Sequence, residues 1–313
     1  MDSLHLVDPE LRPLLEIFPT SQLDPQVLAE ARGRTLPIPD LGETGVTLKV
    51  LTAPGPPGAP DIALSVYRPR AATGRLPCIY HVHGGGYVLG AAKDMEALHM
   101  MMAAQLGCMI VSVDYRLAPE TVFPGAIEDC YAGLDWLFAQ ADRLGVDASI
   151  VGVMGESAGG GLAAALALLA RDRGEHRLAF QHLIYPMIDD RTCTTPDPHP
   201  VAGEFLWHAH NNHFGWSALL GHAPGVEGVS PYAAAARAED LSGLPPSFIS
   251  VGGLDLFLEE NLDYARRLMR AGVPVELHVY PGAFHGFGLA PDARVSQAAR
   301  RDSLEALRRA LNG

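Results

Sequence analysis

The stretch Ile150-Val151-Gly152-Val153-Met154-Gly155-Glu156-Ser157-Ala158-Gly159-Gly160-Gly161-Leu162-Ala163-Ala164-Ala165 decides the fold. It opens on a short apolar run of the kind found in a strand buried on both faces. It closes on alanine and leucine, strong helix formers that continue to Ala170. Between them, Gly155-Glu156-Ser157-Ala158-Gly159 matches G-x-S-x-G, the pattern of a serine held on a sharp strand-to-helix turn. A serine there adopts a strained, positive-φ backbone, and its neighbours two residues away are glycines because they pack together without room for side chains. In a chain with 33 glycines the pattern arises by chance, so the strand before it and the helix after it are what give it weight.

A serine hydroxyl is a weak nucleophile in water. Acyl transfer at Ser157 therefore needs a base for its proton and donors for the oxyanion it creates. In this setting the partners follow as acid and then histidine, at the carboxyl ends of later strands. Asp255 leaves the run Ser247 to Val251 by a Gly-Gly-Leu turn, and His285 leaves Val275 to Tyr280 by Pro-Gly-Ala-Phe. Glu259 and Glu260 are competing acids, but they fall inside the next helical stretch, facing solvent or pinning the loop, and Asp255 is preferred. The donors come from a second glycine run, His83-Gly84-Gly85-Gly86. Gly84 and Gly85 can bring bare amides close to a substrate, and the Ala158 N–H adds a third with a helix dipole behind it. The alternative, a phosphate-cradling loop, is weak, because neither run fits G-x-G-x-x-G or carries the Gly-Lys-Ser/Thr ending.

Outward from this centre, strands and helices alternate. Cys78 to Val82, a helix about 93–106, Met109 to Val113, a helix about 124–143, Ile150 to Met154, a helix 158–173 and Ala179 to Tyr185 follow in turn. The rhythm resumes with Ser247 to Val251, a helix about 258–271, Val275 to Tyr280 and an amphipathic helix about 294–311. Such alternation predicts an α/β fold, a mostly parallel sheet with helices on both faces. Ahead of it, Val46 to Leu51 and Ile62 to Tyr67 alternate as half-buried strands joined across the Pro/Gly cluster 54–60 into an antiparallel hairpin. Residues 1–45 read as a lid element, with Asp24-Pro25 as N-cap and first helical residue. Residues 187–230, with Asp189-Asp190, several prolines and two tryptophans, interrupt the core as a second lid segment. The organisation expected is cap 1–45, core 46–186, cap 187–230 and core 231–313.

At 313 residues the chain can bury about 75% of its unfolded surface, ample for one large α/β core. A net charge of −13 with no basic run argues against a nucleic-acid partner. Cys78, Cys108, Cys130 and Cys193 show no C-x-x-C spacing and read as free thiols, three of them in strand or helix. The stretch Met1-Asp2-Ser3-Leu4-His5 lacks the charge and apolar core of a signal peptide, so a reducing, cytoplasmic setting is expected. The apolar run Gly159 to Ala170 falls short of the roughly 20 residues that span a bilayer and reads as a core helix, so no membrane span is expected.

Of the 13 histidines, His278 alternates with apolar neighbours and reads as a packed core residue. The cluster His208-Ala209-His210-Asn211-Asn212-His213 has spacing that can bind zinc, but Asn212 stands where metallohydrolases of that pattern carry aspartate, so solvated or lid-packing histidines and no metal are expected. A zinc hydrolase built on His208, His210 and His213 is the corresponding alternative. Phe205, Trp207, Phe214 and Trp216 are candidates to line an apolar substrate pocket, with packing of the lid as their other reading.

With these motifs in place the chain resembles the hormone-sensitive-lipase family of α/β-hydrolase esterases. The match rests on His83-Gly84-Gly85-Gly86, Asp114-Tyr115-Arg116-Leu117-Ala118-Pro119-Glu120 with Phe123-Pro124, Gly155-Glu156-Ser157-Ala158-Gly159-Gly160, Leu244-Pro245-Pro246, Asp255 and His285-Gly286-Phe287, in that order. The resemblance implies an eight-stranded, mostly parallel sheet under a helical cap. It also implies a carboxylesterase of small-molecule esters with short to medium acyl chains, acting through Ser157, His285 and Asp255 without a cofactor, and dimers through the last strand and helix. Family members usually carry Asp or Thr where this chain has Glu156, and Pro-Leu where it has Leu256-Phe257. A catalytically inactive binding protein on the same fold is the other alternative, disfavoured because His285 is present. An ordinary histidine pKa of about 6.5 predicts activity rising through neutral pH.

Overall fold

Burial along the strands separates two kinds of sheet position in the computed structural model, which describes residues 3–18, 22–33 and 42–312. Helices α1 (Arg12–Ile17) and α2 (Pro25–Gly33) precede the hairpin β1 (Val46–Ala53) and β2 (Ile62–Pro69). There follow β3 (Leu76–Val82), α3 (Glu96–Leu106), β4 (Met109–Asp114), α4 (Gly125–Ala139), α5 (Ala141–Leu144), β5 (Val146–Glu156) and α6 (Ala158–Arg173). The chain ends with β6 (Gln181–Ile184), α7 (Ala209–Leu220), β7 (Ser247–Gly252), α8 (Leu258–Arg270), β8 (Val275–Tyr280) and α9 (Arg294–Asn312). Among the described residues the strands form one sheet of eight, in the order β1-β2-β4-β3-β5-β6-β7-β8. The pairs β1–β2 and β2–β4 are antiparallel, and every later pair is parallel.

Successive side chains on a strand point to opposite faces, so each central strand feeds two cores. Tyr80, Val82, Val111 and Val153 pack with Leu134 of α4, Leu166 of α6 and Leu268 of α8. Ile79, Ile110 and Met154 face the other way, onto Met102 of α3 and Leu307 of α9. Strands covered on both sides are mostly apolar, with a few buried polar residues such as His81, Ser112 and His182, whereas the edge strand β1 exposes Lys49 and Val50. Helix α6 is buried from Ala158 to Ala170, and its small residues let it lie close under the sheet.

The N-terminal segment meets the segment between β6 and β7 beside the loops that follow β3 and β4. Asp24 Oδ1 accepts from the Gln26 and Val27 amides and so caps α2, as the Asp24-Pro25 pair predicts. Leu23 and Leu28 pack with Val88 and Ala118 and against Trp207 and Phe214. The Leu23 amide donates to Asn211 Oδ1 at 2.8 Å, and Ser3 Oγ donates to Glu204 at 2.7 Å. The expected helix over 124–143 is two helices that meet at Gln140. His278 is not a core residue: β8 is the sheet edge, and His278 Nε2 lies 2.9 Å from Glu276 at a half-exposed surface.

Candidate active site

Ser157 follows the last residue of β5 and immediately precedes α6, with φ 55° and ψ −123°. A non-glycine residue there costs about 1–3 kcal/mol, offset by what surrounds it. The Ser157 amide donates to the Ile184 carbonyl at 3.0 Å, and its carbonyl accepts from Met187 and Gly161, each at 2.9 Å. A Cβ on Gly155 would run into the Gly159 carbonyl, and one on Gly159 into the Val82 carbonyl, which is why both positions are glycine.

Ser157 Oγ lies 2.9 Å from His285 Nε2, and His285 Nδ1 lies 2.9 Å from Asp255 Oδ2. A carboxylate only accepts, so Nδ1 carries the proton and the Nε2 lone pair faces the serine hydroxyl. Asp255 is fully buried, and its other oxygen accepts from the Phe257 amide at 2.9 Å. The loops after β7 and β8 are stitched together by Gly253 N to Tyr280 O and Leu254 N to Ala283 O, each 2.8 Å. The residues Leu256-Phe257 do not leave the acid loose. Phe257 is fully buried with its ring edge-on to His285 at 5.0 Å, and Tyr185 meets the same imidazole at 4.8 Å.

The glycine loop corrects one expectation. The Gly84 N–H donates to Glu156 Oε1 at 2.9 Å and is not free to meet an oxyanion. The amides of Gly85 and Gly86 have no acceptor among the described residues, and they are followed by a turn closed by Val88 N and Leu89 N on the Gly85 carbonyl. At φ 120° and 61° these two positions require glycine. The donors available beside Ser157 are therefore Gly85, Gly86 and the Ala158 N–H, which as the first helical residue has no partner within its helix.

An α/β-hydrolase-fold family model matches residues 79–308. A carboxylesterase of Mycobacterium tuberculosis, NlhH, is 35% identical across 98% of this chain and 97% of its own. Among solved structures, a bacterial heroin esterase superposes with a TM-score of 0.91 at 40% identity, covering 99% of both chains. The esterase LipW of Mycobacterium marinum does so at 0.80 and 32% identity, over 99% of this chain and 97% of its own. The chain belongs to the hormone-sensitive-lipase family of α/β-hydrolase esterases. It is a carboxylic ester hydrolase.

Within this esterase the pocket candidates divide. Trp207 stands over the glycine loop, where a Cβ on Gly86 would strike its ring, and 6.4 Å from the His285 imidazole; its Nε1–H donates to Asn212 Oδ1 at 3.1 Å. Trp216 is not a pocket residue. It is fully buried against Tyr87, at 5.0 Å between ring centroids, and packs α7 onto the core. Phe205 leans on Phe284 at 5.6 Å, and Phe214 packs against Leu23 and Leu28. Leu206, Tyr185 and Phe257 also border the site, with no motif pointing to a role for them there; Leu206 reaches toward Gly286 beside His285.

The histidine cluster lacks the geometry of a metal site. His210 Nε2 lies 3.0 Å from the Leu23 carbonyl, His213 Nδ1 lies 3.3 Å from Ser217 Oγ, and the His208 and His210 rings are 6.1 Å apart. No three such ligands gather among the described residues. Glu260 is buried and pins the loop after β6: it accepts from the Ile188 amide at 2.7 Å and from the Asp189 amide and Thr192 hydroxyl. Burial raises its pKa well above the usual range, with Asp189 adding to the rise. Among the described residues no helix is long and apolar enough to cross a membrane.

Proposed function

We propose that Ser157, His285 and Asp255 hydrolyse small-molecule esters of short to medium acyl chains through a covalent acyl-enzyme. The observation that carries this reading is the unbroken contact from Ser157 Oγ to His285 Nε2 and from His285 Nδ1 to Asp255, 2.9 Å at each step. His285 takes the hydroxyl proton as Oγ attacks the carbonyl carbon, and Asp255 holds the tautomer and stabilises the imidazolium. The amides of Gly85, Gly86 and Ala158 receive the oxyanion, each such donor worth about 3 kcal/mol in the transition state. The imidazolium then gives its proton to the departing alcohol, and water repeats the sequence on the acyl-enzyme. No cofactor enters this scheme.

Residues 1–45 and 187–230 act as the two parts of one cap, a reading supported by the contacts of Leu23 and Leu28 with Trp207 and Phe214. Trp207 is the cap residue that meets the acyl or alcohol group. The edge of β8, unpaired among the described residues, supports association of two copies through the last strand and helix, to be read from the solution mass by light scattering. Thiols buried at Cys78, Cys108 and Cys130 suit a cytoplasmic setting. The decisive experiment is Ser157→Ala with p-nitrophenyl butyrate and a fluorophosphonate probe. Turnover and labelling are both expected to vanish while the circular dichroism spectrum is unchanged; a variant that still hydrolyses the ester removes Ser157 from the mechanism.

A further inference from the structure

Glu156 precedes the nucleophile, and both of its carboxylate oxygens are taken by groups outside its own strand. Oε1 accepts the Gly84 N–H at 2.9 Å, and Oε2 lies 2.9 Å from His81 Nε2. A carboxylate has no proton to give, so His81 Nε2 carries one and donates it. His81 is fully buried on β3, on the face covered by α3. Its Nδ1 lies 3.0 Å from Ser112 Oγ of β4, and the His99 ring of α3 meets it edge-on at 4.2 Å. Held on three sides, the imidazole cannot turn away, and it fixes the rotamer of Glu156.

The peptide geometry gives this clamp a consequence for catalysis. The Gly84 carbonyl and the Gly85 N–H belong to one planar unit and point in opposite directions. His83 Nδ1 lies 2.9 Å from the Gly84 carbonyl, while Glu156 holds the Gly84 N–H, so the peptide planes on both sides of Gly84 are fixed. The loop also lies backbone to backbone on the elbow, since a Cβ on Gly84 would stand 2.8 Å from the Glu156 carbonyl and 3.5 Å from Ser157 Cβ. We infer that Glu156 is a positioning residue for the oxyanion hole, tying the glycine loop to the residue beside the nucleophile, and that buried His81 is the group that orients it. The inference rests on the reading of Ser157 as nucleophile and of Gly85, Gly86 and Ala158 as oxyanion donors. The clamp makes nucleophile and donors one rigid unit, so releasing it misplaces donors that themselves remain present.

The test uses the full chain, with kcat expressed per active site titrated by fluorophosphonate. Glu156→Ala and His81→Leu are each expected to lower kcat for p-nitrophenyl butyrate by about 10- to 100-fold, with KM changed less than about twofold, because a misplacement near 1 Å is felt mainly in the transition state. The inhibition constant of a trifluoromethyl ketone, which forms an oxyanion on the serine, is expected to rise in parallel. Glu156→Gln can still accept from Gly84, and His81→Gln can still donate to the carboxylate, so both are expected to stay within about threefold of the parent. A Glu156→Ala or His81→Leu protein with a lowered melting temperature but unchanged kcat per site overturns the inference. So does failure of the glutamine variants to recover. Should Glu156→Ala not fold, the two His81 variants decide alone. Absence of fluorophosphonate labelling at Ser157 in the parent enzyme instead overturns the underlying reading of the site.

Discussion

Four non-glycine residues among those described have positive φ: Tyr87, Ser157, Tyr185 and Leu206. Each lies at or next to Ser157, the His285–Gly286 turn or the glycine loop. Tyr87 follows the glycine loop, Tyr185 meets the His285 ring, and Leu206 reaches toward Gly286. Strain of this kind persists only where neighbours over-determine it, and here the anchors include Tyr87 Oη on the Met187 carbonyl at 2.7 Å. Leu206 sits in the tight turn that brings the Trp207 amide 2.7 Å from the Phe205 carbonyl and so directs Trp207 over the site. Trp207 and Trp216 then separate by function. Trp207→Ala is expected to shift the preferred acyl length in a series from acetyl to dodecanoyl esters while leaving stability within about 1 kcal/mol. Trp216→Ala, in the core, is expected to cost about 3–5 kcal/mol of stability with the acyl preference unchanged. A Trp207→Ala enzyme with the parental chain-length profile removes Trp207 from the pocket. The sequence alone did not separate these aromatics, because residues two apart on a helix, such as Phe214 and Trp216 on α7, point to nearly opposite faces, and only the docked helix says which is inward.

Between elements, the strand–helix alternation was legible because the inner parallel strands are mostly apolar on both faces, and the elbow because strand, glycines and helix coincide there. Less legible was β8, whose alternation of Val275, Leu277 and Val279 with polar residues reads as half-buried but does not say that the other side is an open edge; hence the misreading of His278. The role of Gly84 was hidden for a similar reason. A run of three glycines supplies several amides, and which one faces the substrate depends on a carboxylate 72 positions away. The docking of α2 was equally hidden, since it hangs on one arginine. Arg32 donates through Nε to the Val88 carbonyl at 2.8 Å, through Nη2 to the Ala118 carbonyl at 2.7 Å, and through Nη1 to Glu120 at 2.7 Å. It ties α2 to the turn that follows the glycine loop. Arg32→Ala is expected to speed amide exchange across Pro25–Gly33 at least tenfold, while exchange in β3 to β7 stays at the parental rate, since roughly 1.4 kcal/mol of lost local stability gives that factor. Unchanged exchange in α2 means that Leu23 and Leu28 hold the helix by burial alone.

For the molecule as a whole, buried neutral histidines contribute to the loss of stability toward acid pH. His182, in the middle of the sheet, is stacked on Phe248 at 4.1 Å with Nε2 2.8 Å from Ser303 Oγ of α9, and burial pushes its pKa down to about 3. His99 and His83 are lowered by burial as well. In the unfolded chain a histidine titrates near 6.5, so between about 6.5 and 3 the unfolded state binds a proton that the folded state refuses. The stability associated with keeping His182 neutral is complete above the unfolded value and is lost as pH falls through that window, at about 1.4 kcal/mol per pH unit. Glu260, raised by burial, works in the opposite sense above the ordinary carboxylate range, so the net curve of the enzyme does not isolate one group. A difference between two proteins does. His182→Gln keeps a side chain able to bond Ser303 and removes the titration. Its urea midpoint is expected to fall slightly below the parent's at pH 7.5, through loss of the ring stack, and to overtake it by pH 4.5 to 5. Parallel midpoint curves for the two proteins across that range mean that His182 is protonated in the folded enzyme, and that α9 then yields to admit water to the imidazole.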